Sequence, residues 1–160
     1  MAHFRVMPLP SEPFEALFKA DQATRAKQGA ITMVADTKPG YPCRIRLQDA
    51  EPGERLLLVN YEHQSADNPY RACHAVFVTL GAVPTYPAPD QVPAMLSGRM
   101  LSVRAFDMED MMVDAEVVAG EQAGNLFSRW LARAEVGYLH VHSAKRGCFL
   151  ARVVAACVTH

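Results

Sequence analysis

One amphipathic segment constrains the fold of this 160-residue chain more than any other feature. Between residues 121 and 135, apolar side chains recur with the spacing i, i+3, i+4, i+7, i+8 and i+11, which places them on one face of a helix. These side chains are Ala123, Leu126, Phe127, Trp130, Leu131 and Ala134. A helix with such a face is stable only against another apolar surface, so the remainder of the chain must provide one.

Short segments with β-strand character provide that surface. They lie at residues 30–35, 56–61, 74–80, 100–106, 111–118, 137–142 and 148–156, and are joined mostly by turns rather than by helices. Near the N-terminus, Ser11 and Pro13 form a helix-start signal, and Asp21 can cap a second start.

These patterns predict an α+β fold. We expect a largely antiparallel sheet of about six or seven strands with two or three helices, and the amphipathic helix packed on one face of the sheet. At this length the chain is expected to form a single globular domain spanning residues 1–160.

The charge balance narrows the range of partners. Sixteen Lys and Arg residues oppose 17 Asp and Glu residues, which leaves a formal net charge of −1 and no excess of positive charge to attract nucleic acid. The longest uncharged apolar stretches are far shorter than the roughly 20 residues that a membrane-spanning helix needs. We therefore expect neither a nucleic-acid partner nor a membrane-bound protein.

The cysteines and the N-terminus predict a cytoplasmic protein. Cys43, Cys73, Cys148 and Cys157 form no C-x-x-C pair and are too sparse for a small disulfide-stabilised secreted fold. Residues 1–10 contain no apolar stretch of the kind found in secretory signal peptides.

A pair of histidines lies on one face of a predicted strand. Because strand side chains alternate, Tyr138, His140 and His142 project together while Leu139 and Val141 point the other way. Two imidazoles in this arrangement are typical of metal ligands or of a proton-transfer pair. The alternative is that they hydrogen-bond neighbouring side chains on a partly exposed sheet.

A metal site requires at least one more ligand. His63, His74, Cys43 and Cys148 are the candidates, and the sequence does not indicate which of them lie nearby. We expect no tightly bound metal ion unless His63 or His74 joins the pair. No cofactor is expected. The chain contains no phosphate-binding glycine loop, no G-x-S-x-G elbow and no H-E-x-x-H helix, which removes several common enzyme classes.

A long polar connection predicts a ligand-binding loop. Residues 62–73 join two predicted strands and exceed the length that a hairpin needs. Tyr61 and His63 stand at its start, and Tyr70 and Arg71 stand near its end.

Two arginines are candidates for binding an anion. Arg71 and Arg44 can each bind a carboxylate or phosphate through two parallel hydrogen bonds. The alternative for Arg71 is an ion pair with Glu62 or Asp67 that orders its own loop.

Cys43 and Cys148 are the candidate reactive thiols. Cys43 follows a rigid elbow formed by residues 38–42, and Cys148 follows the turn at residues 145–147. Either becomes a nucleophile if a histidine lies beside it, whereas the more common role of a free cysteine is that of a small buried apolar residue.

Several motifs, taken in order, resemble one bacterial family. They are Lys38-Pro39-Gly40-Tyr41-Pro42-Cys43-Arg44, Asp49-Ala50-Glu51-Pro52-Gly53-Glu54, Asn60-Tyr61-Glu62-His63-Gln64, Pro69-Tyr70-Arg71, Tyr138-Leu139-His140-Val141-His142, and Gly147-Cys148-Phe149 with Ala151-Arg152. Their order and spacing are similar to those of the family known as domain of unknown function 1203. The resemblance implies a small single-domain protein and carries no assigned activity, cofactor or catalytic residue.

Two hypotheses of function follow from these residues. The first is a pocket for a small, anionic molecule, with or without catalysis. Its residues are Arg44, Tyr61, His63, Tyr70, Arg71, His74, His140 and His142, with Cys43 or Cys148 at the edge. The second is a non-catalytic interaction module in which a proline-rich strap, Pro84 to Pro93, forms a docking edge. Convergence of the polar residues on one concave site would favour the first hypothesis.

Overall fold

The computed structural model describes residues 1–157, which form two five-stranded sheets and four α-helices. The strands are β1 (Phe4–Met7), β2 (Ile31–Val34), β3 (Pro42–Cys43), β4 (Gln48–Asp49), β5 (Arg55–Gln64), β6 (Ala72–Thr79), β7 (Met100–Phe106), β8 (Met112–Ala119), β9 (Tyr138–Ser143) and β10 (Phe149–Ala155). The helices are α1 (Glu15–Lys19), α2 (Gln22–Lys27), α3 (Ala94–Ser97) and α4 (Ala123–Leu131).

Antiparallel pairing dominates both sheets. The first sheet has the strand order β1-β10-β9-β7-β8 and is antiparallel throughout. The second has the order β2-β5-β6-β3-β4, and only the pairing of β3 with β6 is parallel within the described part of the chain. No helix in residues 1–157 is long and apolar enough to cross a membrane.

The α+β class predicted from the sequence is confirmed. The structure differs from the prediction in having ten strands in two sheets rather than about six or seven strands in one sheet. The three additional strands are β1, β3 and β4, of which the last two contain only two residues each. Strands this short carry no readable alternation. The predicted 62–73 connection is also shorter, because β5 continues to Gln64 and β6 begins at Ala72.

Helix α4 covers one face of the first sheet, as its apolar spacing predicts. Leu126, Phe127 and Trp130 are buried in one cluster with Leu139 and Val141 of β9. The regular helix is shorter than predicted at both ends: residues 120–122 form a 3-10 turn before it, and it ends at Leu131, so that Ala134 lies beyond it and is exposed. That turn begins at Gly120, where an added Cβ would lie 2.0 Å from the carbonyl oxygen of Leu96.

The N-terminal helices follow the predicted start signals. The Asp21 side chain accepts a hydrogen bond from the Thr24 backbone N–H at 2.7 Å, so it caps α2 as expected. Gly29 then ends this region with a φ of 77°, a left-handed conformation that favours glycine.

A second core joins the two sheets. Phe149 of β10 is buried among Val59 of β5 and Val76 and Val78 of β6. The backbone of Phe149 is also bound, because its carbonyl oxygen accepts a hydrogen bond from Arg44 Nε at 2.8 Å. Phe149 of the first sheet therefore packs against the second sheet through its side chain, and its backbone is hydrogen-bonded to Arg44, which directly follows β3.

Replacing Trp130 with alanine is expected to destabilise the fold by about 3 to 5 kcal/mol, since the change empties a large volume beneath α4. Urea unfolding of the parent and the variant measures this difference. Arg129→Ala, one residue away on the exposed face of α4, is the control and should change stability by less than about 0.5 kcal/mol. Equal effects of the two substitutions would contradict the packing described here.

Candidate functional site

Strand β9 presents its polar side chains to the second sheet. Leu139 and Val141 pack under α4, whereas His140 and His142 lie near His63 of β5, with ring centroids 5.7 and 5.0 Å from it. The alternation predicted for this strand therefore produces two differently used faces.

Strands β5 and β6 bring a third and a fourth histidine to this place. Tyr61 pairs with His74 and Gln64 pairs with Ala72, so the register shifts between the two pairs. His63 lies two residues beyond Tyr61, on the same side of β5, and stacks on His74 with ring centroids 4.7 Å apart; the distance from His63 Nε2 to His74 Nδ1 is 2.7 Å. We refer to His63, His74, His140 and His142 as the histidine cluster.

The aromatic ring of Phe149 supports the histidine cluster. It stacks on His63 at 4.8 Å and meets His140 edge-on at 5.1 Å. The two histidines that β9 contributes are buried: His140 is 3% exposed and His142 is 1% exposed. The imidazoles of His140 and His142 therefore lie in a largely apolar environment, whereas His63 and His74 are partly exposed.

This environment keeps the imidazoles neutral. Burial lowers the pKa of both His140 and His142 to about 3 and that of His63 to about 4, and the guanidinium of Arg104 contributes in the same direction. Burial also lowers the pKa of His74. At neutral pH each ring therefore offers a nitrogen lone pair.

The hydrogen bonds of His142 define its tautomer. Its Nδ1 lies 2.8 Å from the carbonyl oxygen of Gly147, and since a carbonyl only accepts, Nδ1 carries the proton. The lone pair is then on Nε2, which lies 3.4 Å from Arg104 Nη1. Arg104 reaches this position because it is paired with His140 across β7 and β9.

Two buried nitrogens of the histidine cluster lack protein partners. His63 Nδ1 and His140 Nδ1 make no hydrogen bond to any part of residues 1–157. Both residues line a cleft of about 760 Å³, which we call the histidine cleft. Buried polar atoms are normally hydrogen-bonded, so these two nitrogens are exceptions within the described part of the chain.

A tyrosine-centred network forms another wall of the histidine cleft. Tyr138 Oη donates to Asp110 Oδ1 at 2.6 Å and accepts from Gln64 Nε2 at 2.9 Å. Burial and the Asp110 carboxylate raise the pKa of Tyr138 to about 12, so the phenol stays protonated. The guanidinium of Arg152 lies 4.3 Å from the centre of its ring. Tyr61 also lines this cleft.

A second cleft, of about 510 Å³, lies where the turn between β9 and β10 meets the second sheet. Its charged lining residues are Arg44, Arg99, Lys145 and Arg146, and Cys148 also lines it. Within the described part of the chain, no Asp or Glu lines this cleft. We call it the basic cleft. Arg99 is neutralised by Asp49, at 2.6 and 2.9 Å.

Arg44 is the buried member of the basic cleft. Its side chain is 3% exposed and donates to the carbonyl oxygens of Pro42 and Phe149 at 2.7 and 2.8 Å. Burial lowers its pKa to about 10, so the guanidinium remains charged at neutral pH. No carboxylate within residues 1–157 forms an ion pair with it.

Three other candidate residues from the sequence, Tyr70, Arg71 and Cys43, line neither cleft. Tyr70 meets the ring of Phe106 edge-on at 6.1 Å. Arg71 forms an ion pair with Glu62 at 3.5 Å and donates to the carbonyl oxygen of Ala66, which is the loop-ordering alternative. Cys43 is fully buried, and its sulfur accepts a hydrogen bond from the Thr79 backbone N–H.

The structure also identifies residues that the sequence did not. Arg104 stands next to the histidine cluster only because β7 pairs with β9, a pairing that local patterns do not encode. The sequence predicts only a turn at Lys145 and Arg146, although both line the basic cleft. For Arg152 the one available signal was its place in the family motif.

The proline-rich strap lies on the surface. The backbone N–H groups of Thr85 and Asp90 bind the carbonyl oxygens of Ile45 and Phe4. Val83 and Tyr86 are 74% and 61% exposed.

The protein is an α+β protein in which two sheets pack against each other with a histidine cluster between them. The model of the family described as protein of unknown function, DUF1203, matches residues 40–154, and the chain belongs to this family. The matched range contains the histidine cluster and the lining of the basic cleft. No curated protein and no solved structure matches the chain.

Loss of Arg71 is expected to have a small effect. Arg71→Ala removes an exposed ion pair and hydrogen bonds to loop carbonyls, so the free energy of unfolding should fall by at most about 1 kcal/mol. Urea unfolding at low and high salt measures this change and its electrostatic part. A loss of several kcal/mol would show that the loop is tied to the core through Arg71.

Acid should destabilise the metal-free protein through the histidine cluster. The unfolded chain protonates His140 near pH 6.5, whereas the folded protein resists protonation until about pH 3. Stability is therefore fully present above pH 6.5 and is lost as the pH falls, with a slope approaching about 1.4 kcal/mol per pH unit for each such histidine.

His140→Leu tests this slope. The free energy of unfolding of both proteins is measured between pH 6 and 5 with a chelator present. The slope against pH should be smaller in the variant by about 1.4 kcal/mol per pH unit, which corresponds to one proton. The contribution of carboxylates cancels in the comparison. Equal slopes would mean that folded His140 is already protonated.

Proposed function

We propose that this protein binds a small molecule carrying a carboxylate or phosphate group in the basic cleft. The observation that carries the proposal is the buried guanidinium of Arg44, which lines the cleft without a carboxylate partner in residues 1–157. The proposal keeps the anionic ligand expected from the sequence. It assigns that ligand to Arg44 rather than to Arg71.

Burial of an uncompensated charge supports an anionic ligand. Two carbonyl oxygens satisfy part of the guanidinium of Arg44, but they carry only partial negative charge. A buried cation is normally paired with a full negative charge, because its desolvation is costly otherwise. A carboxylate or phosphate in the cleft would supply that charge through charge-assisted hydrogen bonds.

Other residues that line the basic cleft also favour an anionic ligand. Lys145 and Arg146 are exposed in the turn before β10, so they add positive charge at the mouth of the cleft. The volume of about 510 Å³ falls within the range of small-molecule sites. Cys148 contributes a half-buried thiol to the same cleft, and its chemical labelling can report on occupancy.

Anion binding should depend on the charges at the cleft mouth. Inorganic phosphate, citrate and a sugar phosphate are titrated into the parent and into Lys145→Ala/Arg146→Ala by calorimetry and thermal shift. For whichever of these anions binds the parent most tightly, we expect the affinity of the double variant to fall at least about fivefold, with the difference shrinking at high salt. Both substituted residues are exposed, so folding should be unaffected.

A matched control removes two charges elsewhere. Lys19→Ala/Lys27→Ala changes the net charge equally on exposed helical positions far along the chain and should leave the affinity unchanged. Bound anion should also slow alkylation of Cys148, but not of the exposed Cys73. The proposal fails if no anion shifts the melting of the parent, or if the control loses as much affinity as the cleft variant.

A further inference from the structure

We propose that His63, His74 and His142 form a binding site for Zn²⁺ or a similar divalent first-row transition-metal ion between the two sheets. This site lies in the histidine cluster rather than the basic cleft, so the inference does not depend on the proposed anion binding. It also goes beyond the sequence expectation, in which a metal ion required His63 or His74 to join the β9 pair.

The three rings converge at the spacing that a metal ion needs. One nitrogen from each of these histidines lies within 4.8 Å of the other two, and His63 Nε2 and His74 Nδ1 are 2.7 Å apart. Zinc–nitrogen bonds of about 2.0 to 2.1 Å in a tetrahedral site place ligand nitrogens roughly 3.3 Å from one another. The ion would replace the hydrogen bond between His63 Nε2 and His74 Nδ1: the proton held there moves to the other nitrogen of its ring, and side-chain rotations bring the three nitrogens around the ion.

The orientation of His142 is a second, independent observation. Its Nδ1–H donates to the carbonyl oxygen of Gly147 at 2.8 Å. Metal-binding histidines almost always donate their other ring N–H to a carbonyl or carboxylate, which fixes both tautomer and ring direction. This bond leaves Nε2 of His142 as the available ligand atom.

The donor set selects the kind of metal. The three donors are imidazole nitrogens, which suit zinc, copper and nickel, whereas magnesium and calcium prefer oxygen ligands. Three protein ligands leave a fourth position for water or another small ligand, as in zinc sites that are catalytic rather than structural.

Arg104 is the group that competes with the metal ion. Its Nη1 lies 3.4 Å from His142 Nε2, so the guanidinium shares that lone pair and repels a cation. Its hydrogen bond to Ser102 Oγ is also long, at 3.4 Å, and the side chain is half-buried, so it is held in place only weakly. Beside a bound metal ion, its positive charge would favour an anion in the fourth position.

The test uses protein without a polyhistidine tag, stripped with a chelator. Zn²⁺ is titrated by calorimetry and Co²⁺ by visible absorption, which reports a tetrahedral site directly. We expect one ion per chain with a Kd at or below about 1 µM. His63→Ala, His74→Ala and His142→Ala should each weaken binding by about 100-fold or more.

His140→Leu is the matched control within the same cluster. Its ring lies among Phe106, Tyr138 and Phe149, and its nitrogens are not part of the converging set. The variant should keep the Zn²⁺ affinity within about threefold, since no ligand is lost. If His140→Leu loses as much affinity as His142→Ala, the assignment of ligands is wrong.

A measurement on the unaltered protein avoids variants that fail to fold. In nitrogen NMR spectra of the imidazoles, Zn²⁺ should shift one ring nitrogen each of His63, His74 and His142 and leave His140 unaffected. Arg104→Gln should strengthen Zn²⁺ binding severalfold, because a competing cation is removed. Absence of stoichiometric Zn²⁺ or Co²⁺ binding by the parent, or shifts confined to other histidines, would overturn the proposal.

Discussion

The contact between Phe149 and the second sheet is the interaction on which both candidate sites depend. Its ring packs against His63 and His140, and its carbonyl oxygen accepts the hydrogen bond from buried Arg44. The histidine cluster therefore uses the side chain of this residue, while the basic cleft uses its backbone. If the two sheets moved apart at Phe149, the stacking of the imidazoles and the hydrogen bond of the guanidinium would be lost together.

Burial acts on the two sites in the same direction and leaves them with different chemistry. Removal from water disfavours the charged form of every base, so it lowers the pKa of His142 to about 3 and that of Arg44 to about 10. Neutral pH lies above the first value and below the second. The same physical effect thus produces lone-pair donors between the sheets and a permanent cation at the neighbouring cleft.

The features predicted correctly from the sequence are those encoded by local spacing. The apolar face of α4, the alternation along β9 and the Asp21 cap each require only neighbouring residues, and each is present. Strand order is not local: the approach of His63 to His142, and of Arg104 to both, depends on pairings between distant segments. For Arg71 the sequence left open a ligand or an ion pair with Glu62 or Asp67, and the folded loop shows the ion pair with Glu62 and hydrogen bonds to neighbouring carbonyl groups.

The register shift in β5 has a consequence for how this protein can vary. It allows two consecutive residues to serve the same side of the sheet, since His63 stacks on His74 while Gln64 binds Tyr138 of the opposite sheet. Regular alternation would turn one of them towards solvent. The number of residues between Tyr61 and Gln64 is therefore constrained as strictly as their identity. A single insertion or deletion there would disconnect an interior side chain without altering any of the residues that bind it.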